Sequence, residues 1–243
     1  MNKKSNEMID HLSYSSIQNY LMCGRHWKYQ YVDKVEIGKS DALLFGSAWH
    51  KMINLVRGGN PFDTWDVACR ELGIDDYSDS HELGWRMINS TPVLTHLQNL
   101  NIAQSELKFE MNIPQCDVPI IGYIDAILAD GTPVDFKTAK RKWSQSQADN
   151  SLQPAFYLAG LHQLGIIKAN DFPAKFQYHI FTKTKNPDVQ VIDTYRTIQD
   201  IFWLFNLIGD VWKSMKAENF VPNPTSWKCS KNYCEFYRLC KGG

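Results

Sequence analysis

The stretch GYIDAILADGTPVDFKT, residues 122–138, restricts this chain more than any other. Two apolar runs rich in β-branched residues meet at Asp130-Gly131, a turn signal, so the segment predicts an antiparallel hairpin. Asp125 lies on the first strand, Asp135 and Lys137 on the second. Residues two apart on a strand share a face, so Asp135 and Lys137 point the same way. A two-residue loop would pair Asp125 with Phe136 and send the carboxylates to opposite faces. A three-residue loop such as Asp130 to Thr132 would pair Asp125 with Lys137 and gather all three groups on one face. The odd-length loop, or a bulge, is the expectation.

Two carboxylates on a half-buried sheet repel each other, and a divalent cation is the usual compensation. Oxygen ligands suit Mg2+ or Mn2+. Spacing alone leaves a plainer arrangement equally open, a solvated surface strand with Lys137 in a salt bridge.

The remaining patterns place this hairpin inside an α/β chain. Ile17, Tyr20, Leu21 and Trp27 fall at helical spacing, with Cys23 at the junction of one or two short helices, and another helix is expected from about Gly46 to Val56. Residues 57–100 read as a helical insert that is acidic, with Asp63, Asp66, Glu71, Asp75, Asp76, Asp79 and Glu82 against Arg70 between positions 63 and 82. Period-two patterning from Glu106 to Thr138 predicts strands, and 174–182 and 188–195 predict two more. Leu152–Leu164 reads as a helix with Pro154 in its first turn, and Thr197 with Asp200 forms a capping-box signature ahead of a core helix. No repeat, linker or low-complexity segment interrupts the chain, so one domain over 1–243 is expected.

With 243 residues and 44% hydrophobic content the chain can bury a full core, which excludes disorder and disulfide-dependent miniature folds. Twenty-six basic residues balance 26 acidic ones, so any nucleic-acid site must be a local patch. The N-terminus MNKKSNEMID lacks an apolar leader and no apolar run approaches the ~20 residues of a membrane span, so a cytoplasmic protein without a membrane partner is expected. Lys140, Arg141 and Lys142 precede Trp143 just after the second hairpin strand. Basic groups interleaved with rings hold phosphates and stack unpaired bases.

Cys229, Cys234 and Cys240 crowd the C-terminal end, and Cys23 is the natural fourth thiolate, which would tie 12–32 to 225–243. Four thiolates bind zinc or an iron-sulfur cluster, and spacing does not separate the two; a zinc site using His26 is also open.

The hairpin resembles the G-x-x-D and (D/E)-x-K motifs of the PD-(D/E)XK nuclease superfamily. Gln153-Pro-Ala-Phe-Tyr157 resembles the Q-x-x-x-Y motif of its RecB-like branch, and LLFGSAWH supplies the G-x-x-x-H context through Gly46 and His50. These motifs occur in the family's order. The resemblance implies a restriction-endonuclease-like mixed sheet flanked by helices. It further implies that His50, Asp125 and Asp135 bind the metal with the Phe136 carbonyl as a further ligand. Lys137 would orient or help deprotonate the attacking water. Gln153 and Tyr157 would contact the DNA backbone or brace Lys137, and Glu106 resembles an acidic position ahead of the hairpin.

The cysteine arrangement is similar to that of AddB-type and CRISPR-associated exonucleases, which implies a structural [4Fe-4S] cluster holding Trp227, Tyr233 and Tyr237 against the N-terminal helices. The implied activity is metal-dependent exonuclease action with Mn2+ or Mg2+ on single-stranded DNA or DNA ends, in recombination, repair, or phage or CRISPR DNA processing. A non-catalytic nucleic-acid or partner-binding module that keeps the fold is the rival, and the acidic insert could dock a basic partner protein.

Overall fold

The computed structural model describes residues 9–38, 40–56 and 59–242. The leader reading of Met1–Met8 and the first two positions of the acidic insert lie outside the described residues. Ser13 accepts a hydrogen bond from the Ser16 amide and so caps α1 (Tyr14–Met22); α2 (Gly24–Trp27) follows, and a π-helical turn at Lys28–Val32 completes the N-terminal layer. Cys23 sits at the junction in extended backbone. Helix α3 (Asp41–Leu55) starts earlier than the apolar periodicity suggests, because Ser40 caps it.

The insert folds as α4 (Pro61–Glu71), α5 (Asp79–Ile88) and α6 (Thr91–Asn99). Its acidic residues are partly neutralised locally: His81 lies 2.8 Å from Asp66, whose Oδ1 also accepts from the Trp85 indole at 2.9 Å.

Strands β1 (Ile102–Met111), β2 (Ile120–Leu128) and β3 (Pro133–Ala139) form an antiparallel meander. Helices α7 (Gln145–Asp149) and α8 (Gln153–Gln163) cross over to β4 (Ala174–Thr182), which therefore runs parallel to β3. Strand β5 (Val189–Arg196) adds antiparallel to β4, and the order is β1-β2-β3-β4-β5. Helix α9 (Ile198–Lys216) begins at the Thr197–Asp200 capping box, and α10 (Tyr237–Lys241) closes the chain.

Apolar alternation along β4 divides the sheet between two cores. Phe176, Tyr178 and Ile180 pack with α8, α9 and the N-terminal layer, while Phe181 joins Phe136 and Val134 under Phe45, Trp49 and Trp65 of α3 and α4. Helix α8 is buried from Gln153 to Leu161, which its nearly unbroken apolar composition allows. It comes close to the sheet at Gly160. The Phe109 ring lies where side chains on Gly160 and Gly122 would otherwise project, at 2.5 and 2.3 Å from their ideal Cβ positions. Among the described residues no helix is long and apolar enough to cross a membrane.

Candidate active site at the strand fork

The hairpin loop has three residues, Ala129 to Gly131, closed by the Leu128 amide donating to the Thr132 carbonyl, with Gly131 at φ 86. It sits one residue earlier than the sequence suggests. Pairing runs Ile127 to Pro133 and Ala126 to Val134, which would set Asp125 opposite Asp135 instead of Lys137. The parity is the same, so all three side chains still converge.

The ladder stops there. Beyond Val134, β3 leaves β2 and pairs with β4, and the Phe136 amide, freed by the split, donates to Asp125 Oδ2 at 2.9 Å. A carboxylate thus satisfies the backbone donor that the fork would orphan. On the other side of β2, Glu106 lies across from Asp125, between the pairs Ser105–Ala126 and Leu107–Ile124, with φ at 53. Ile124 and Ala126 join different cores although residues two apart on a regular strand share a face, so the strand turns over at Asp125.

Helices close on this fork from both sides. From α3, His50 Nδ1 reaches Asp125 Oδ2 at 3.2 Å, and one turn on, Asn54 donates to Glu106 at 2.9 Å. From α8, the Gln153 amide donates to both Asp135 Oδ1 and the Tyr157 hydroxyl. Lys137 Nζ donates to Asp135 Oδ1 at 3.0 Å and stands 2.7 Å from Oδ2. Gln153 and Tyr157 are only 4% and 8% exposed. Gln153 nevertheless lines the space beside Lys137, and its amide braces Asp135, not Lys137.

Burial pushes the Asp135 carboxyl up to about 6, with the Asp125 charge adding to the effect and Lys137 opposing it. Burial acts the same way on Asp125, but the His50 hydrogen bond and charge, Lys137 and the Phe136 amide outweigh it and hold that group below its ordinary value. For His50 burial is likewise outweighed, by Asp125, so the imidazole holds its proton more tightly. Burial would also lower Lys137, yet the paired carboxylates raise it. The site is one coupled set of charges of alternating sign.

Among the described residues no three His, Cys, Asp or Glu side chains stand close enough to share one ion. The donor set nevertheless fits a divalent cation. Asp135 Oδ2 is buried and faces the Lys137 ammonium, and an imidazole and a second carboxylate stand within the same cluster. Phe136 would contribute backbone only, since its ring is wholly buried in the α3–α4 core.

Lys140, Arg141 and Lys142 are exposed beside the fork, with Lys142 paired to Asp188. Trp143 is half-buried against Tyr178. At the far end, Cys23, Cys229, Cys234 and Cys240 all line one cavity of about 190 Å3, and all four are free thiols. The tail is held differently from expectation. Trp227 and Tyr233 are 73% and 62% exposed, and it is Phe236 that packs under the N-terminal layer, on His26 and Tyr29, because its ring carries no polar tip to keep wet. Residues ahead of position 225 share the work. Asn219 and Phe220 offer carbonyls to Tyr20 and Arg25, and Asn223 donates to the Met22 carbonyl and to Cys23 Sγ.

A five-stranded mixed sheet, flanked by helices and forked at a carboxylate pair, is the restriction-endonuclease-like fold. The family model described as the PD-(D/E)XK nuclease superfamily matches residues 11–241, and the chain belongs to that superfamily. Its members generally use divalent metals such as Mg2+ or Mn2+, and their substrate class is DNA. A solved structure of a protein from Eubacterium rectale, provisionally named an exonuclease, is 14% identical, covers 98% of this chain and 93% of its own, and superposes with a TM-score of 0.66, a likeness of fold. The structure of a protein named SSO0001 is 16% identical over 92% of this chain and 95% of its own, with a TM-score of 0.40. No curated protein matches the chain.

Proposed function

We propose that this chain is a metal-dependent exonuclease that hydrolyses phosphodiesters of single-stranded DNA or DNA ends. The observation that carries the reading is the meeting of Asp125, Asp135 and Lys137 at the strand fork. A divalent cation held by Asp125, Asp135 and His50 would supply a Lewis acid and an activated water. Within the chain, Gln153 fixes the orientation of Asp135 through one carboxylate oxygen, while the other faces Lys137. Lys137 stabilises the charge that grows on the phosphate and orients or helps deprotonate the attacking water. Tyr157 holds the Gln153 amide from behind.

The test is hydrolysis of end-labelled linear and covalently circular DNA, single- and double-stranded, with Mn2+ or Mg2+. Wild type should shorten linear single strands, spare circles, and run faster with Mn2+, as an imidazole among oxygen ligands favours. Asp135→Ala and Lys137→Ala should be inactive. Equal degradation by these variants would end the reading.

We further propose that the four cysteines hold a [4Fe-4S] cluster as a structural clasp. What supports this reading is that all four cysteines line one cavity, which brings the two ends of the chain to the same place. Protein purified without oxygen should be brown and contain iron and acid-labile sulfide. Colourless protein with one equivalent of zinc would refute the cluster.

A further inference from the structure

A cleft of about 700 Å3 opens beside Lys137, between α1, the loop after β3, α7 and the start of α8. Its size lies within the ~300–1,000 Å3 of small-ligand sites, enough for an unpaired nucleotide and too small for a double helix. Tyr14 and Trp143 contribute rings to its wall, Gln18, Gln147, Asn150 and Gln153 contribute amides, and among the described residues Lys137 is the one charged side chain lining it, with no carboxylate beside it in the wall although two stand just beyond. An anion can therefore approach the lysine from this side without like-charge repulsion. Flat rings, neutral donors and acceptors, and a cation at one end match a nucleobase joined to a phosphate.

The walls are fixed in advance. The Gln190 side chain clamps Trp143 through both backbone groups, accepting from its amide at 2.9 Å and donating to its carbonyl at 3.0 Å, and the indole packs 5.0 Å from the Tyr178 ring. The buried Arg196 guanidinium donates to the Ala148 and Ser151 carbonyls, and Thr194 donates to Asp149, so the short helix α7 is bolted to β5. By contrast, the Gln147 side chain makes no hydrogen bond among the described residues, so its amide is available to a ligand.

We propose that this cleft holds an unpaired nucleotide flanking the scissile phosphate, with its base against Trp143 and its phosphate directed to Lys137. The preference for unpaired DNA then resides in this cleft. The inference rests on the nuclease reading for its phosphate and is tested apart from catalysis. Binding of fluorescein-labelled dT12 and of a blunt duplex is measured by anisotropy in EDTA. Wild type should bind dT12. Trp143→Ala should weaken that binding about tenfold, in line with the ~1–3 kcal/mol of a stacked base, and the surface variant Gln147→Ala about threefold, through one lost hydrogen bond. Trp143→Phe should restore it, and duplex affinity should stay the same throughout. Unchanged dT12 binding in both variants, no binding by wild type, or equal loss on duplex would overturn the proposal. A wild-type protein that binds dT12 in this way yet cuts nothing with Mn2+ or Mg2+ would refute the nuclease reading alone.

Discussion

Replacing Gly46 by alanine should make the protein more stable and slower. Gly46 lies inside α3, where glycine costs about 1 kcal/mol relative to alanine. Such a cost is often offset by close packing, but a Cβ built on Gly46 meets nothing within 4 Å. The full propensity gain of about 1 kcal/mol should therefore appear, a rise in Tm of about 2–4 °C for a chain of this size. His50 follows one helical turn later on the same face and touches Asp125, so the bare surface at Gly46 borders the fork. A strand drawn across the fork from this side to the cleft beside Lys137 passes that surface, and a methyl group there should lower kcat/KM on single-stranded oligonucleotides about tenfold, or about 1.4 kcal/mol. Thermal melts and steady-state cleavage of one preparation decide the matter. A lower Tm would refute the account of α3, and a higher Tm with undiminished cleavage would refute the path of the strand.

The same substitution at Gly160 should have the opposite sign, since its Cβ would press on Phe109; melts should show a loss of about 1–3 kcal/mol. Gln153→Leu should abolish cleavage, because it unlocks Asp135; retained cleavage would refute the brace. Acid should weaken the fold through His179. Burial and the neighbouring His96, 3.0 Å away, lower its pKa to about 3. The unfolded chain takes up that proton first, near pH 6.5, so the contribution is complete above about 6.5 and fades as pH falls toward 3, by at most about 1.4 kcal/mol per unit. Asp135 works the other way between about 3.8 and 6, so the informative quantity is the difference between wild type and His179→Gln in urea midpoints at pH 7.5 and 5.5. Parallel curves would refute the assignment.

What the chain reveals in one dimension is what depends on near neighbours. The hairpin with its odd loop, the Thr197 cap, the proline at the head of α8 and the period-two runs of β4 and β5 are all set by residues a few positions apart. Asp125 falls opposite Asp135, two positions from Lys137, because the loop closes on Leu128 and Thr132, a matter of backbone hydrogen bonds that composition does not report. Asn54, Gln190 and Arg196 carry no local signal. Their partners lie 52, 47 and 48 residues away, and an arginine at a strand end looks exposed until the carbonyls of α7 arrive over it. The acceptance of the Phe136 amide by Asp125 was equally out of reach, because only the departure of β3 toward β4 creates that donor.

The tail reaches further than the cysteine-lined cavity beside it. Asn219 and Asn223 grip the helix that presents Tyr14 and Gln18. Loss of the chain from Asn219 onward would then loosen that helix first, while Asp125 and Asp135, anchored in the sheet, stayed in place.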